Sequence, residues 1–318
     1  MKKILFIGIS YYAYTERIIK TLESKGYSVT HYPLEHRSFW MKTFKKLLPN
    51  FYRKSLIKYH KDIIAKESDT QYDYVFFIQV HHFSLENIKQ LRKSQSQSSF
   101  ILYNWDSLTT HDYQAYLKYF DTVFTFDKAD AVKLNIRYLS LFSLPEYFRV
   151  QASDKPFYDL YFVGAIVTLN RYKAIQELEK FCQSKNLNFK KYLQCSPYIL
   201  MKLALKGFSI KGLSLKSISA NDIIKIMDKS VAVFDFANHS QSGYTMRLIE
   251  NMCAGKKIVT SNTNIIHEDF YSDDRFLLVK NLDFSELNYF LNKPITKTTS
   301  FHHFSLSHWV DKILETDI

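Results

Sequence analysis

The feature that most constrains how this chain folds is a repeated order of short apolar runs and segments of helical period. Each apolar run ends in polar or turn residues before the helical pattern begins, which predicts strands joined by helices in a parallel sheet. Strands are predicted in the first half at residues 3–9, 28–33, 73–79, 99–104, 122–126 and about 138–141. Helices are predicted at 13–25, 84–94 and 111–119, and one or two more over the basic stretch 37–61.

This alternation is interrupted once and then restarts. Residues 143–157 are polar, lack periodicity and contain two prolines, which predicts a domain boundary. Beyond it, strands are predicted at 159–164, 188–193, 231–235, 257–260 and 276–279, with helices at 171–184, 196–206, 220–228 and 244–254. We therefore predict one domain over 1–145, a second over 146–303, and an amphipathic helix over 304–318 that packs back on the first domain.

The predicted fold class is α/β, with two Rossmann-like, doubly wound parallel sheets facing a cleft. A length of 318 residues suits two domains of roughly 150 residues each. Because ligands of open α/β sheets bind beyond the carboxyl ends of the strands, we expect the functional residues to follow predicted strands directly.

Composition excludes several classes of protein. Hydrophobic residues make up 46% of the chain and aromatic residues 16%, which excludes a disordered or collagen-like chain. The three cysteines are widely spaced, so neither a zinc site nor a redox motif is indicated and a reducing compartment is expected. The apolar run at the N-terminus has no cleavage site and is interpreted as a strand. Since no stretch approaches the ~20 apolar residues of a spanning helix, we expect a cytoplasmic protein.

The net charge of +12 is concentrated in residues 37–61, here called the basic segment, which holds eight Lys or Arg and no acid. Aromatic residues are interleaved with these cations, among them Phe39, Trp40, Phe44 and Phe51. Three interpretations remain open: contact with an anionic membrane surface, binding of nucleic acid phosphates, or a solvated basic helix whose aromatic residues enter the core.

The most informative stretch is 231–262, where a strand ends at Asp235 and a polar loop leads to a helix opening near Gly243. A strand-to-helix turn of this kind directs backbone N–H groups and the positive end of the helix dipole toward a ligand, which suits a diphosphate. Arg247 and Glu250 are three residues apart and share one face of the helix. The pair fits phosphate and ribose recognition, or an ordinary ion pair on a solvated helix.

These residues carry a family resemblance. The pattern Gly243-x-Thr245-x-Arg247-x-x-Glu250, followed by Ala254-Gly255-Lys256-Lys257 and an apolar strand, resembles the donor-binding motif of bacterial GT-B glycosyltransferases. It is most similar to those that build surface polysaccharide and lipopolysaccharide and to the CgeB-like group. The stretch from Asp159 to Gly164, with Arg171 after a short loop, resembles the first strand and loop of the same domain.

The resemblance implies a transferase that takes a sugar from a UDP, dTDP, GDP or CMP donor and requires no cofactor and no metal ion. Glu250 would bind the ribose. The residues implied on the phosphates are Gly164, Arg171, Ser242, Gly243, Tyr244, Thr245 and Arg247. Many retaining members carry a second glutamate eight positions before the ribose-binding one, where this sequence has Ser242, so inversion is favoured.

An inverting transfer needs a general base near the acceptor hydroxyl. Asp106 directly follows a predicted strand of the first domain and is the first candidate, with His81 and His82 after the preceding strand as alternatives. Each of them also suits an ordinary cap or loop hydrogen bond. Ser10 and Tyr11, after the first strand, are predicted to line the acceptor side.

The leading hypothesis is therefore transfer of a sugar to a bacterial surface glycan or a lipid-linked acceptor, by an enzyme peripheral to the inner membrane through the basic segment. A nucleotide-sugar-binding protein without catalysis is one alternative, and a nucleic-acid-binding protein that uses the basic segment is another. The sequence has no GxSxG, HExxH, Walker A or GxGxxG motif, so hydrolase, zincin, P-loop and dinucleotide-oxidoreductase functions are not indicated.

Overall fold

In a computed structural model the chain divides into two α/β units. The structure describes residues 1–10, 13–35, 47–150, 155–236, 242–296 and 299–315. The described residues of 1–141, 242–243 and 305–315 belong to the first unit, and those of 142–236 and 244–304 belong to the second.

A six-stranded parallel sheet in the order β2-β1-β3-β4-β5-β6 forms the centre of the first unit. The strands are β1 Lys3–Gly8, β2 Ser28–Pro33, β3 Tyr74–Ile78, β4 Ser99–Asn104, β5 Thr122–Thr125 and β6 Arg137–Tyr138. The helices are α1 Tyr14–Ser24, α2 Pro49–Lys66, α3 Leu85–Ser94, α4 Lys128–Leu134 and α10 Leu306–Leu314, with a 3₁₀ turn at Gln114–Tyr119. The strands predicted from the apolar runs of the first half are confirmed.

The second unit repeats this architecture in the order β12-β11-β10-β7-β8-β9. Its strands are β7 Tyr158–Ile166, β8 Phe189–Cys195, β9 Leu213–Ser214, β10 Ser230–Asp235, β11 Lys257–Thr260 and β12 Phe276–Leu278. Its helices are α5 Leu169–Ser184, α6 Pro197–Leu205, α7 Ala220–Asp228, α8 Met246–Cys253 and α9 Leu287–Asn292. The predicted fold class of two Rossmann-like parallel sheets is thereby confirmed.

Strand order places one switch point in each sheet. In the first unit the chain leaves β1 for β2 on one side, and β3 then adds on the other side. In the second unit β8 adds to one side of β7 and β10 to the other. Open α/β sheets bind ligands in the crevice that such a reversal creates at the carboxyl ends of the strands. The candidate regions are therefore the ends of β1 and β3, and the ends of β7 and β10.

The C-terminal helix α10 completes the core of the first unit. Trp309 is buried with its ring 4.8 Å from that of Tyr103 and 6.2 Å from that of Phe76. On the outside of the same helix, Asp311 pairs at 2.7 Å with Lys25, the residue that follows α1. Within the described ranges, no helix combines the length and the apolar composition needed to cross a bilayer.

Short elements differ from the sequence prediction. The helix expected over 111–119 is a 3₁₀ turn at Gln114–Tyr119, and the two-residue strand β9 was not predicted. Helix α4 was missed although its ends carry signals, since Asp127 caps its first N–H groups and Asn135 ends it with a φ of 51°. Seven residues are too few to show a helical period.

Candidate functional site

Strand β7 extends beyond the last residue that pairs with β10, at the switch point of the second unit. Pairing with β10 ends at Tyr161, whereas pairing with β8 continues to Ile166. Two arginines attach to this extension of β7. Arg247 donates from Nε to the Val163 carbonyl at 3.0 Å, and Arg171 donates from Nη1 to the Ala165 carbonyl at 3.0 Å. Two guanidinium groups are therefore held by the carbonyls of the two residues that flank Gly164 in β7.

Gly164 leaves the space that the Arg247 guanidinium occupies. A Cβ at position 164 would collide with Nη2 of Arg247. The guanidinium also lies 4.5 Å above the ring of Phe162, and the Arg247 side chain is 17% exposed. Within the described part of the chain, Nη2 has no hydrogen-bond partner. Its donors are consequently available to an anionic ligand at the carboxyl end of β7.

Asp235, at the end of β10, holds the Nη1 group of Arg247 through a hydrogen bond. Its carboxylate is fully buried and accepts from Thr245 Oγ1 at 2.7 Å and from Arg247 Nη1 at 3.3 Å. Thr260 Oγ1 donates to the second carboxylate oxygen at 3.2 Å. A buried carboxylate requires such compensation, and in return it orients Arg247 and Thr245. Sequence reasoning gave Asp235 no role, although its position at a strand end was the available signal.

Thr245 begins helix α8 at the same edge of the sheet. Its hydroxyl oxygen accepts from the Leu248 N–H at 3.1 Å while donating to Asp235, so the side chain links the helix start to β10. The N-terminus of α8 carries the positive end of the helix dipole and N–H groups without partners inside the helix. This end of α8 is therefore suited to hold negative charge.

Glu250 lies on α8 three residues after Arg247 and is 7% exposed. Burial together with the charge and hydrogen bond of Glu250 raises the pKa of Tyr147 well above its ordinary value. The neighbouring Asn251 accepts from Tyr161 at 2.7 Å and donates to the Arg247 carbonyl at 2.9 Å. Glu250 is thus held beside a neutral tyrosine, in a largely apolar setting.

Lys256 and Lys257 are part of the sequence motif, but their ammonium groups donate to backbone carbonyls of the second unit. Lys256 donates to the carbonyls of Asp228 and Ser230 at 3.2 and 3.0 Å. Lys257 donates to the carbonyls of Phe290, Leu291 and Lys293 at the end of α9. A cation at a helix C-terminus satisfies carbonyls that the helix leaves open. Burial lowers the pKa of Lys257 to about 8.

Tyr244, another of the predicted donor residues, is buried within the second unit. Its hydroxyl donates to Glu268 Oε1 at 2.5 Å, and its ring meets that of Phe270 edge to face. A tyrosine held in this way positions the chain immediately before Thr245.

Ser242 and Gly243 are held within the first unit by Asp127. The N–H groups of Ser242 and Gly243 donate to Asp127 Oδ2 at 2.7 and 3.3 Å, and the Ser242 hydroxyl donates to Oδ1 at 2.5 Å. A Cβ at Gly243 would lie 2.5 Å from the ring of Phe126, which explains the glycine. Asp127 was missed by sequence reasoning, and residues 238–241 of the same loop lie outside the described residues.

A second group of polar side chains lies at the carboxyl ends of β3 and β4 in the first unit. Gln79 adopts a left-handed conformation with a φ of 64°, and its Nε2 donates to Asp106. His111 Nε2 lies 3.8 Å from the carboxylate of Asp106. Ser10 follows β1 at the switch point, and Tyr11 lies outside the described residues.

Three imidazole rings meet beside this carboxylate. The rings of His81 and His111 stack with centroids 3.6 Å apart, and those of His81 and His82 are 4.0 Å apart. His82 Nε2 is 2.6 Å from Glu35 Oε1. The structure therefore brings the three predicted base candidates into one cluster and adds His111 and Glu35. Sequence reasoning missed both: Glu35 follows the end of β2 and carried that signal, whereas His111 lies further along the loop after β4 and follows no strand end.

Solved structures resemble this chain over nearly its full length. The apo form of the lipopolysaccharide outer core galactosyltransferase WaaB is 15% identical, with a TM-score of 0.55 and coverage of 98% of this chain and 96% of that chain. An alpha,alpha-trehalose-phosphate synthase (UDP-forming) from Burkholderia xenovorans is 12% identical, with a TM-score of 0.64 and 99% coverage of both chains. A UDP-GlcNAc 2-epimerase from Neisseria meningitidis bound to UDP-GlcNAc is 9% identical, with a TM-score of 0.56 and 99% coverage of both.

These likenesses, together with the two parallel sheets, show that the chain has the GT-B fold. No protein-family model and no curated protein sequence matches it.

Proposed function

We propose that this protein is a glycosyltransferase that binds a nucleotide-sugar donor at the β7/β10 switch point of its second unit. The observation that supports it most is the placement of Arg247 and Arg171 on either side of Gly164, at the edge of the sheet where α8 begins. The enzyme neighbours of the same fold include one bound to UDP-GlcNAc, which agrees with a nucleotide-sugar ligand.

In this proposal the donor diphosphate binds Nη2 of Arg247 and the N-terminal N–H groups of α8. Fixed cations and helix dipoles at this position offset the charge that develops on the leaving nucleotide, so the reaction requires neither a cofactor nor a metal ion. Glu250 accepts hydrogen bonds from the ribose hydroxyls. Its setting beside Tyr147 limits the water that would compete for them.

The acceptor binds the first unit, beside Ser10 and Tyr11. Asp106 removes the proton of the attacking hydroxyl, and His81 or His82 takes this role if Asp106 does not. The amide of Gln79 orients the Asp106 carboxylate. Inversion at the anomeric carbon is the expected stereochemistry.

We propose a bacterial cell-surface glycan or a lipid-linked precursor as the acceptor, in keeping with the printed function of the WaaB neighbour. A protein acting on such an acceptor works at the cytoplasmic face of the inner membrane, and the basic segment is proposed as a contact. Its described part supplies Leu47, Leu48 and Phe51 as exposed apolar residues ahead of and within α2. Residues 37–46, including Trp40, lie outside the described residues.

A second candidate function follows from the neighbours themselves. Two solved structures whose names include UDP-GlcNAc 2-epimerase match 99% of this chain. A nucleotide-sugar epimerase would therefore use the same proposed donor site. An epimerase returns an altered nucleotide sugar, whereas a transferase releases the nucleotide, so product analysis separates the two.

The test begins with a thermal-shift screen of UDP, GDP, dTDP, CMP and their sugars. Binding to the native state alone stabilises it by about 2.7 kcal/mol at 100 times the dissociation constant. The best donor is then incubated with candidate acceptors, and free nucleotide and the sugar configuration are measured. Arg247→Gln should markedly reduce the shift at the same nucleotide concentration, and Arg17→Gln, an exposed control in the first unit, should leave it unchanged. A screen without any shift, or an Arg247→Gln variant that binds like wild type, contradicts the proposal.

A further inference from the structure

Helix α6 of the second unit packs on the core with only one of its faces. Leu203 is buried, and Ile199 and Leu200 are partly buried against the core cluster. Ser196 caps the helix by accepting from the Ile199 N–H at 3.3 Å. These contacts fix α6 on the unit and determine which side faces outward.

The outward face of α6 is also apolar. Tyr198, Met201 and Leu205 are 59%, 53% and 80% exposed. Their spacing of three and four residues aligns them on one side of the helix. A helix on the surface of a globular protein ordinarily presents polar residues to solvent, so apolar residues on both faces indicate that the outer face has a partner. Ile210 and Leu215, in the segment that follows, are exposed as well.

The same region is basic and contains no acidic residue. The sequence from 180 to 221 has eight lysines and neither Asp nor Glu. Lys202, Lys206, Lys211 and Lys216 are exposed and alternate along the chain with the exposed apolar residues. Across the described ranges, none of these four lysines forms an ion pair. We define the α6 surface as these four lysines together with Tyr198, Met201, Leu205, Ile210 and Leu215.

We propose that the α6 surface docks on an anionic lipid bilayer. Apolar side chains flanked by cations match the interface of such a bilayer, where side chains enter the acyl boundary and lysines reach the headgroups. Tyrosine, with its apolar ring and polar end, is enriched at that depth. A second copy of this chain would bring four lysines against four lysines. Nucleic acid would satisfy the lysines but leave Met201 and Leu205 in water.

This inference does not depend on the identity of the reaction. The α6 surface lies in the second unit and is separate in sequence from the basic segment of the first. Membrane contact by either region can therefore be tested without the other.

The experiment is co-sedimentation of the full chain with phosphatidylcholine vesicles containing about 30% phosphatidylglycerol, and with pure phosphatidylcholine as reference. Each lysine near an anionic surface raises partitioning about fivefold. Changing Lys202, Lys206, Lys211 and Lys216 to Gln should therefore lower binding by at least about 10²-fold. Raising the salt to about 1 M should have a similar effect on wild type, since it shortens the Debye length to about 3 Å.

Two further variants test the apolar half of the surface. Met201→Ser with Leu205→Ser should weaken binding at both salt concentrations, since it removes the part of binding that salt does not screen. Tyr198→Trp should add blue-shifted emission on vesicles, and quenching by brominated lipid, beyond the signal of the three tryptophans of wild type. All of these substitutions are at exposed positions, and an unchanged melting temperature identifies them as folded.

Matched controls use equally exposed residues elsewhere. Changing Lys93, Lys118, Lys133 and Lys280 to Gln removes the same charge, and Val132→Ser with Tyr289→Ser removes comparable exposed apolar groups. Both controls should bind vesicles like wild type. Absence of wild-type binding, equal losses in the controls, or loss of binding only on charge reversal at Lys45, Lys46, Arg53 and Lys54 overturns the inference.

Discussion

Gly164→Ala tests the donor site through a single methyl group. The added Cβ would meet Nη2 of Arg247, so the guanidinium has to retreat by about 1 Å to reach ordinary van der Waals distance. That movement breaks the 3.0 Å hydrogen bond from Arg247 Nε to the Val163 carbonyl and withdraws Nη2 from the proposed phosphate position. Hydrogen bonds to charged groups contribute about 1.5–3 kcal/mol, so nucleotide affinity should fall roughly 10- to 150-fold.

Stability should change far less than affinity in this variant. Asp235 keeps the hydroxyl donors of Thr245 and Thr260 when Arg247 moves, and the part of Arg247 that must give way is the end of a flexible side chain. We therefore expect a loss of about 1 kcal/mol or less in the free energy of unfolding. A folded protein with weakened binding separates a site effect from a fold effect.

A double-mutant cycle tests whether displacement of Arg247 causes the loss of nucleotide affinity. Arg247→Gln alone should weaken binding by a similar amount, and adding Gly164→Ala to it should change affinity little, because the group that the methyl displaces is gone. Affinities are measured by calorimetric titration with the best nucleotide of the screen. Wild-type affinity in a folded Gly164→Ala variant, or additive losses in the double variant, would refute the reasoning.

Four other tests address separate parts of the molecule. Glu250→Ala should weaken nucleotide binding by about 1.5–3 kcal/mol in a protein that still melts cooperatively. An unchanged affinity in calorimetric titration would show that Glu250 does not bind the ribose. Asp106→Asn should leave donor binding intact and slow transfer roughly 10²-fold or more, and wild-type turnover would assign the base to another residue. Trp309→Ala should cost about 3–5 kcal/mol in urea unfolding, since the indole is buried in the first unit. Burial raises the pKa of Cys182 and of Cys253 to about 12, so at pH 8 thiolate is scarce and alkylation should be slower than in the urea-unfolded chain by on the order of 10³-fold. Equal alkylation rates would contradict this burial.

The sequence predicts local structure well where a residue's environment is set by its neighbours in the chain. The apolar runs predicted the long strands because a strand buried on both faces must be apolar along its length. The start of α8 was placed within a few residues, since the predicted helix begins at 244 and the observed one at Met246, where the apolar strand and the polar loop have ended. The two-residue strand β9 and the short helices α4 and α9 carry too few periods to be recognised.

Contacts between distant segments could not be predicted in the same way. Arg247 was paired in sequence with Glu250, its neighbour on the helix, whereas its ion pair in the structure is with Asp235, twelve residues earlier at the end of β10. Likewise, His111 joins His81 only because β3 and β4 lie side by side and end at one edge of the sheet.

The sequence by itself determined the α/β class, the two parallel sheets and the strand-to-helix turn that carries Thr245 and Arg247, because periodicity and turn chemistry act within a few residues. Only the tertiary structure decided that Gly164 makes room for a guanidinium and that Asp127 holds Ser242. Those contacts depend on strand order and on where each strand stops pairing. The packing of whole sheets determines both the strand order and the ends of strand pairing, so no local stretch of residues predicts them.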